Sequence, residues 1–187
     1  MEGGVTGEGV ERLAAFLELL ERFGRVTDLV GGGVWQELVT VHIAGALAGA
    51  PWLGDGGTLV DVGSGNGLPA IPILAVREGW AGVLLEPRER RWAFLREAVR
   101  ELDLRAEVVR ERAEDHRGGP YDALTSRGVK AGPWLEAAAR LVRAGGRLAW
   151  WTVAGAATAW GGWESVVTLP LPSRERGRLL VWQRCST

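Results

Sequence analysis

The stretch VDVGSGNGLPAIP, residues 60–72, fixes the architecture of the chain. Val60, Asp61 and Val62 read as the end of a buried strand. Gly63, Gly65 and Gly67 follow, where a chain can bend tightly and come close to a ligand. Leu68, Pro69, Ala70 and Ile71 read as the start of a helix, with proline in a first turn that tolerates it. Strand, glycine turn and helix in this order describe a nucleotide-type site. Three ligand classes use such a turn: a phosphate, a dinucleotide or S-adenosylmethionine.

Outward from this turn the chain alternates. On the C-terminal side WAGVLLE (80–86) reads as a strand and PRERRWAFLREAVRELDL (87–104) as a helix with Trp92, Leu95, Val99 and Leu102 on its apolar face. AEVVRERAED (106–115) is a strand running into a loop, and YDALTSRG (121–128) a strand with its turn. PWLEAAARLV (133–142) is a helix, and AGGRLAWWTV (144–153) a turn and strand. ESVVTLPL (164–171) and RGRLLVWQR (176–184) form a closing antiparallel pair. On the N-terminal side Leu13, Phe16, Leu17, Leu20 and Phe23 recur at helical spacing. Gly31 to Gly33 break the chain, and VWQELVTVHIAGALAGAPWL (34–53) gives a second helix stopped before Pro51. The expected fold is α/β: a mostly parallel, seven-stranded sheet with helices on both faces and an N-terminal helical cap.

The residues around the turn discriminate among its ligands. A phosphate loop needs a lysine to reach the β and γ phosphates, and this turn has none. The dinucleotide fingerprint fits Gly65, Gly67 and Ala70, but there the first glycine follows the strand directly. Gly63 occupies that place, and Leu68 breaks the pattern counted from it. Asp61 followed by Gly-x-Gly-x-Gly resembles the first motif of Rossmann-like methyltransferases. Glu86 closes the second strand, where a carboxylate can accept hydrogen bonds from both ribose hydroxyls. A tight turn alone, or a solvated charge before a helix, would account for each feature singly. In order and at this spacing they favour a nucleoside site.

Composition narrows the classes further. Lys plus Arg is 22 and Asp plus Glu is 23, so an indiscriminate, strongly basic nucleic-acid binder is not expected. The lone Cys185 excludes an intrachain disulfide, and the distant His42 and His116 have no ligand-like spacing, so no metal site is expected. No signal peptide and no bilayer-spanning stretch is evident, and a cytoplasmic chain without a membrane partner is the default.

Beyond the glycines, VDVGSGNGLPAIPILAV resembles the corresponding segment of the bacterial 16S rRNA guanine-N7 methyltransferase G family, also called glucose-inhibited division protein B. The Gly-Leu-Pro-x-Ile-Pro run is fairly specific to that family. LEPRERRWAFLREAVRELDL, RERAED, TSRGV and LPSRERGRLLVWQR resemble its later elements, so that the resemblance runs from about Leu13 to Arg184. It implies one Rossmann-like class I methyltransferase domain over 1–187, with a helical cap over 10–50 and a core over 57–184. S-adenosylmethionine is the implied cofactor, and 16S rRNA or the small ribosomal subunit the implied partner of a monomer. Asp61, Gly63, Gly65, Gly67 and Leu68 are the implied cofactor contacts in the turn. Glu86 is the ribose partner, Ala113 and Glu114 the pair near the adenine, and Arg127 a cofactor- or substrate-side contact.

The resemblance thins on the substrate side. The family's Arg-His-x-x-Asp element appears as VHIAGAL, residues 41–47, with His42 kept and Val41 and Gly45 in place of the arginine and aspartate. Its N-terminal element appears only as FGRVTDLV (23–30), and the lysine-glycine after the fifth strand is replaced within WWTVAG. His42 is the substrate-side candidate here; its alternative is a histidine satisfied on its own helix. Two arginine clusters could meet phosphate: Arg88, Arg90 and Arg91, and Arg174, Arg176 and Arg178. Glu89 and Glu175 beside them fit a solvated surface equally. Trp150, Trp151, Trp160 and Trp163 divide between core and base-stacking platform.

Guanine N7 carries a lone pair and no proton, so its methylation needs alignment rather than a general base. No catalytic residue is assigned from the sequence. Three alternatives stand beside RNA methylation: a small-molecule methyltransferase, a non-catalytic cofactor-binding protein, and a nicotinamide-dependent oxidoreductase.

Overall fold

The computed structural model describes residues 6–27, 38–153, 160–171 and 177–186. Seven strands form one sheet: β1 (Gly57–Val62), β2 (Trp80–Leu85), β3 (Ala106–Val109), β4 (Tyr121–Arg127), β5 (Val142–Val153), β6 (Trp163–Pro170) and β7 (Gly177–Arg184). Their order is β3-β2-β1-β4-β5-β7-β6. The pairs from β3 to β5 are parallel, and β7 inserts antiparallel between β5 and β6.

Strand β1 is buried on both faces, which is why its sequence is nearly continuous in apolar residues. Leu59 joins one core with α1 (Gly7–Thr27), α3 (Ala70–Val76) and α4 (Glu89–Glu101). Val60 and Val62 join the other, with α5 (Pro133–Leu141). Leu84 and Leu85 on β2 divide between the same two cores, as alternation along a strand requires. Helices thus lie on both faces; on the apolar stripe of α1, Phe16 and Leu20 are fully buried, while Leu13, Leu17 and Phe23 are half-buried against the same core.

The chain runs outward from β1 through β2 to β3, then returns to place β4 on the other side of β1. The strand order reverses at the β1/β4 boundary. In such sheets the crevice beyond the carboxyl ends at this switch point receives the ligand.

Several boundaries differ from the sequence reading. The second helix is described only from Leu38, as a wide π-type turn (Leu38–Ile43) running into α2 (Ala44–Leu47), with a single 3-10 turn at Ala50–Trp52. Gly45 and Gly49 in the stretch weaken regular helix. Its expected first turn, residues 34–37, lies outside the described residues, as do Gly31 to Gly33. Strand β3 stops at Val109, leaving 110–120 as connection. Strand β5 starts at Val142, before the glycines expected to precede it, and absorbs them beside an irregularity opposite Tyr121 and Ala123.

Candidate cofactor and substrate site

The glycine turn lies beyond the carboxyl end of β1 and is stitched to β2. The main-chain N–H groups of Gly63 and Ser64 both donate to the Leu85 carbonyl, at 2.9 and 3.1 Å. Gly63, Gly65 and Gly67 all have positive φ, of 69°, 56° and 86°. Their surroundings differ. A Cβ on Gly63 would lie 2.6 Å from the Val129 side chain, and one on Gly67 would overlap Ile71. A Cβ on Gly65 would meet nothing nearer than 3.6 Å, where the Arg91 guanidinium and the Gly63 carbonyl stand. Gly63 and Gly67 therefore serve packing, whereas Gly65, itself buried, leaves room above it for atoms at ordinary contact distance.

Glu86 is buried directly after β2, and both of its carboxylate oxygens are engaged. Oε2 accepts from Gly65 N–H and Oε1 from Arg88 N–H, each at 2.9 Å. Each oxygen keeps a second lone pair, so the carboxylate can hold the turn and still accept from a ligand hydroxyl.

Asp61 lies beneath the turn, 1% exposed. Oδ1 accepts from the Thr125 hydroxyl at 2.6 Å, and the Ser64 hydroxyl donates to the Asp61 main-chain carbonyl at 3.1 Å. Oδ2 is buried without a partner. Burial raises the Asp61 pKa to about 6, against the opposing Thr125 bond. A buried carboxylate with an orphan oxygen is costly in isolation, and a positively charged ligand group would relieve it.

Ala113 is buried and Glu114 half-buried in the connection after β3. Arg140 on α5 ties this connection down, donating to the carbonyls of His116 (2.6 Å) and Ala113 (3.3 Å). His116 bridges the Glu111 carboxylate and the Tyr121 hydroxyl. The loop bearing the expected adenine-side pair is thus held from beneath by side chains that no spacing rule singles out.

Arg127 ends β4 on the opposite side of the turn. Its Nη1 donates to the His42 carbonyl at 3.1 Å, and its Nη2 lies 2.9 Å from His42 Nδ1. His42, the substrate-side candidate, thus meets Arg127 through both its ring and its main-chain carbonyl. Burial lowers the Arg127 pKa.

After Arg127 the chain crosses back over the turn through Gly128, at φ 69°, and Val129. Two indoles fasten this crossing: Trp150 Nε1 donates to the Val129 carbonyl at 3.2 Å, and Trp134 Nε1 to the Lys130 carbonyl at 2.8 Å. Trp150, Trp151 and Trp163 are buried, so these are core rather than platform. Trp160 is half-buried, stacked on Trp163 with ring centroids 5.2 Å apart.

Of the two arginine clusters, Arg88 and Arg90 are exposed at the start of α4. Arg91 turns its guanidinium over Gly65. Glu89 pairs with Arg110 at 3.4 Å rather than with its neighbours. Arg178 is exposed on β7, opposite Thr152 near the carboxyl end of β5. Arg174 and Arg176 lie outside the described residues. Among the described residues, no helix is long and apolar enough to cross a membrane, and no group of three or more His, Cys, Asp or Glu residues could hold a metal ion.

Residues 9–153 match the family described as GidB, rRNA small subunit methyltransferase G. The chain belongs to that family. Among its relatives, the Ribosomal RNA small subunit methyltransferase G of Stenotrophomonas maltophilia (strain K279a) is 36% identical over 155 residues, which cover 79% of this chain and 70% of that protein. The one from Mycobacterium avium (strain 104) is 42% identical over 120 residues, 62% of this chain and 49% of that protein. Solved structures share the fold at lower identity. Magnesium protoporphyrin IX methyltransferase from Synechocystis PCC 6803, crystallised with bound S-adenosylmethionine, superposes with a TM-score of 0.66 at 17% identity, over 90% of this chain and 97% of that one. TrmN from Thermus thermophilus superposes with a TM-score of 0.61 at 18% identity, over 76% and 48%.

This member of the methyltransferase G family therefore has the Rossmann-like class I methyltransferase fold, and its cofactor is S-adenosylmethionine. The one feature of the turn that a positively charged ligand would complement is the buried, unpartnered Asp61 oxygen.

Proposed function

We propose that this chain transfers the methyl group of S-adenosylmethionine to N7 of a guanine in 16S rRNA. The observation that carries this reading is a coincidence of place. The family match over 9–153 runs through the residues gathered at the glycine turn: Asp61 and Glu86 at the ends of adjacent strands, and Gly65 bonded to Glu86 between them. A nicotinamide-dependent oxidoreductase has no support from either.

The cofactor, when bound, supplies an electrophilic methyl on a sulfonium. Glu86 holds the ribose hydroxyls, and its bonds to Gly65 and Arg88 fix it before the ligand arrives. Ala113 and Glu114 would flank the adenine, and Asp61, Gly63, Gly67 and Leu68 would complete the cofactor site. A guanine N7 would offer a lone pair and lose no proton, so the chain would need no general base. Alignment is then the main task, and it falls to the crossing Gly128–Val129 and to Arg127.

The domain division 10–50 cap and 57–184 core, within one domain over 1–187, belongs to this proposal. So do a monomeric state, a cytoplasmic site of action, and contact with 16S rRNA or the small ribosomal subunit through Arg174, Arg176 and Arg178. A small-molecule substrate is the second reading, supported by Val41 and Gly45 where the family has arginine and aspartate. The test is methyl transfer from labelled cofactor to small subunits that lack the modification, with mass spectrometry of the digested rRNA. Labelled 7-methylguanosine is the expected product. Cofactor binding without RNA labelling would turn the choice to a small molecule or to a non-catalytic protein.

A further inference from the structure

His42 and Arg127 come from distant parts of the chain and meet at one side of the glycine turn. The contact has only one protonation pattern. A guanidinium donates and cannot accept, so His42 Nδ1, 2.9 Å from Arg127 Nη2, must present its lone pair. The ring proton is then on Nε2, and the imidazole is neutral. The second guanidinium arm is fixed by the His42 main-chain carbonyl. One residue thus holds Arg127 by two acceptors, in the fork geometry that arginine favours.

Arg127 needs such support. It is half-buried, its pKa is lowered by burial, and no carboxylate among the described residues pairs with it. A cation removed from water without a counter-charge is unfavourable, and an anionic ligand would compensate it. Glu86 and the Ala113–Glu114 pair lie on the β2–β3 side of the turn, and Arg127 lies on its β4 side. On the functional reading above, that is the side where substrate meets cofactor.

We propose that His42 is a positioning residue: its neutral imidazole and its carbonyl aim the Arg127 guanidinium as an anion receptor at the methyl-transfer side of the site. His42 then acts neither as a general base nor as a direct substrate contact. The cap segment 38–47 becomes part of the site by orienting Arg127. The anion is a carboxylate or a phosphodiester, supplied by the cofactor's amino-acid end or by the RNA backbone.

The test uses the full chain and two kinds of readout. The first is nitrogen NMR of histidine-labelled protein, made simple by the presence of only one other histidine, His116. His42 should carry its proton on Nε2 at neutral pH, and Arg127→Met should shift that tautomer balance. Protonation of Nδ1 in the wild type would overturn the proposal whatever the protein's activity. The second readout is a cycle of His42→Phe, Arg127→Met and the double variant, with His42→Asn as rescue, because the Asn amide oxygen can replace Nδ1 as acceptor. Each single variant should weaken the same constant about tenfold or more, and the double variant should be no worse than the poorer single. His42→Asn should stay within about threefold of wild type. Losses that multiply, or an Asn variant as poor as Phe, would overturn the proposal. Two probes separate the anions. If it is the cofactor carboxylate, affinity for S-adenosylhomocysteine falls and that for methylthioadenosine, which lacks the carboxylate, does not. If it is a phosphodiester, both affinities hold and KM for small subunits rises. A wild type that bound neither nucleoside would refute the methyltransferase reading, while the NMR result would still judge the His42–Arg127 pair.

Discussion

Arg127 and Trp151 stand opposite each other where β4 and β5 end, and both reach the same short helical segment. Arg127 donates to the His42 carbonyl, and Trp151 Nε1 donates to the Gly45 carbonyl at 2.6 Å. Two adjacent strand ends thus hold the cap by its main chain. The indole also lies where a Cβ on Gly49 would fall. Trp151→Phe keeps most of the packing and leaves the buried Gly45 carbonyl without this donor. Unfolding in denaturant should show a loss of about 1–3 kcal/mol, the cost of an unsatisfied buried polar group. Gly49→Ala should also destabilise, through the indole it would displace.

The glycines of the turn should separate into two classes. Gly65→Val should no longer bind S-adenosylmethionine, because its side chain takes the space beside Arg91, and its cost in stability should be the strain of a side chain at φ 56° rather than a core clash. Gly67→Val should lower the melting temperature strongly, because its side chain enters the space of Ile71 and approaches Phe16. Normal cofactor binding by the Gly65 variant, measured by calorimetry, would remove the turn from the site.

Glu86→Ala should weaken cofactor binding by about 1–3 kcal/mol, and NAD should bind comparably to neither protein. The variant also strips acceptors from the N–H groups of Gly65 and Arg88, so amide exchange at both should quicken. An unchanged dissociation constant would return Glu86 to a purely structural role.

Asp61 sets a pH dependence with a definite sign. Its pKa is near 3.8 in the unfolded chain and about 6 in the folded one. Between these values the native state holds a proton that the unfolded state has released. Its contribution to stability is therefore fully present below pH 4 and lost as pH rises through about 6. At about 1.4 kcal/mol per unit, the loss is about 3 kcal/mol. Asp61→Asn should lack this dependence, so its stability relative to wild type should improve by about that amount between pH 4 and pH 7. The same variant should bind cofactor poorly. Equal pH profiles for the two proteins would show that Asp61 ionises freely.

RNA contact should depend on local arginines rather than on net charge. Replacing Arg174, Arg176 and Arg178 with alanine should weaken binding to small subunits and flatten its salt dependence, because each phosphate contact releases counterions. Cofactor affinity should not change. An identical salt slope would clear this surface of RNA.

The sheet was legible because its signals are local. The strand–turn–helix at 60–72, the carboxylate closing β2 and the apolar alternation lie within short windows, and the structure joins Gly65 to Glu86 and buries Asp61 at the adjacent strand end. What escaped notice depends on partners distant in sequence. Nothing near His42 names Arg127 as its partner, and nothing near Arg140 marks it as the tie on the loop bearing Ala113. The tryptophans were conspicuous by number, but whether an indole stacks on a ligand or donates to a loop is decided only by packing. Trp134 and Trp150 do the latter. In the cap the apolar pattern continues past Gly49, where the regular helix gives way to a turn.

The fit of Trp151 against Gly49 has a consequence for descent. The constraint runs one way: the indole requires a bare backbone at 49, whereas glycine at 49 accepts a smaller residue at 151. A lineage can therefore change position 151 first, but not position 49. A homologue with a smaller residue at 151 is where a side chain at 49 should first be found.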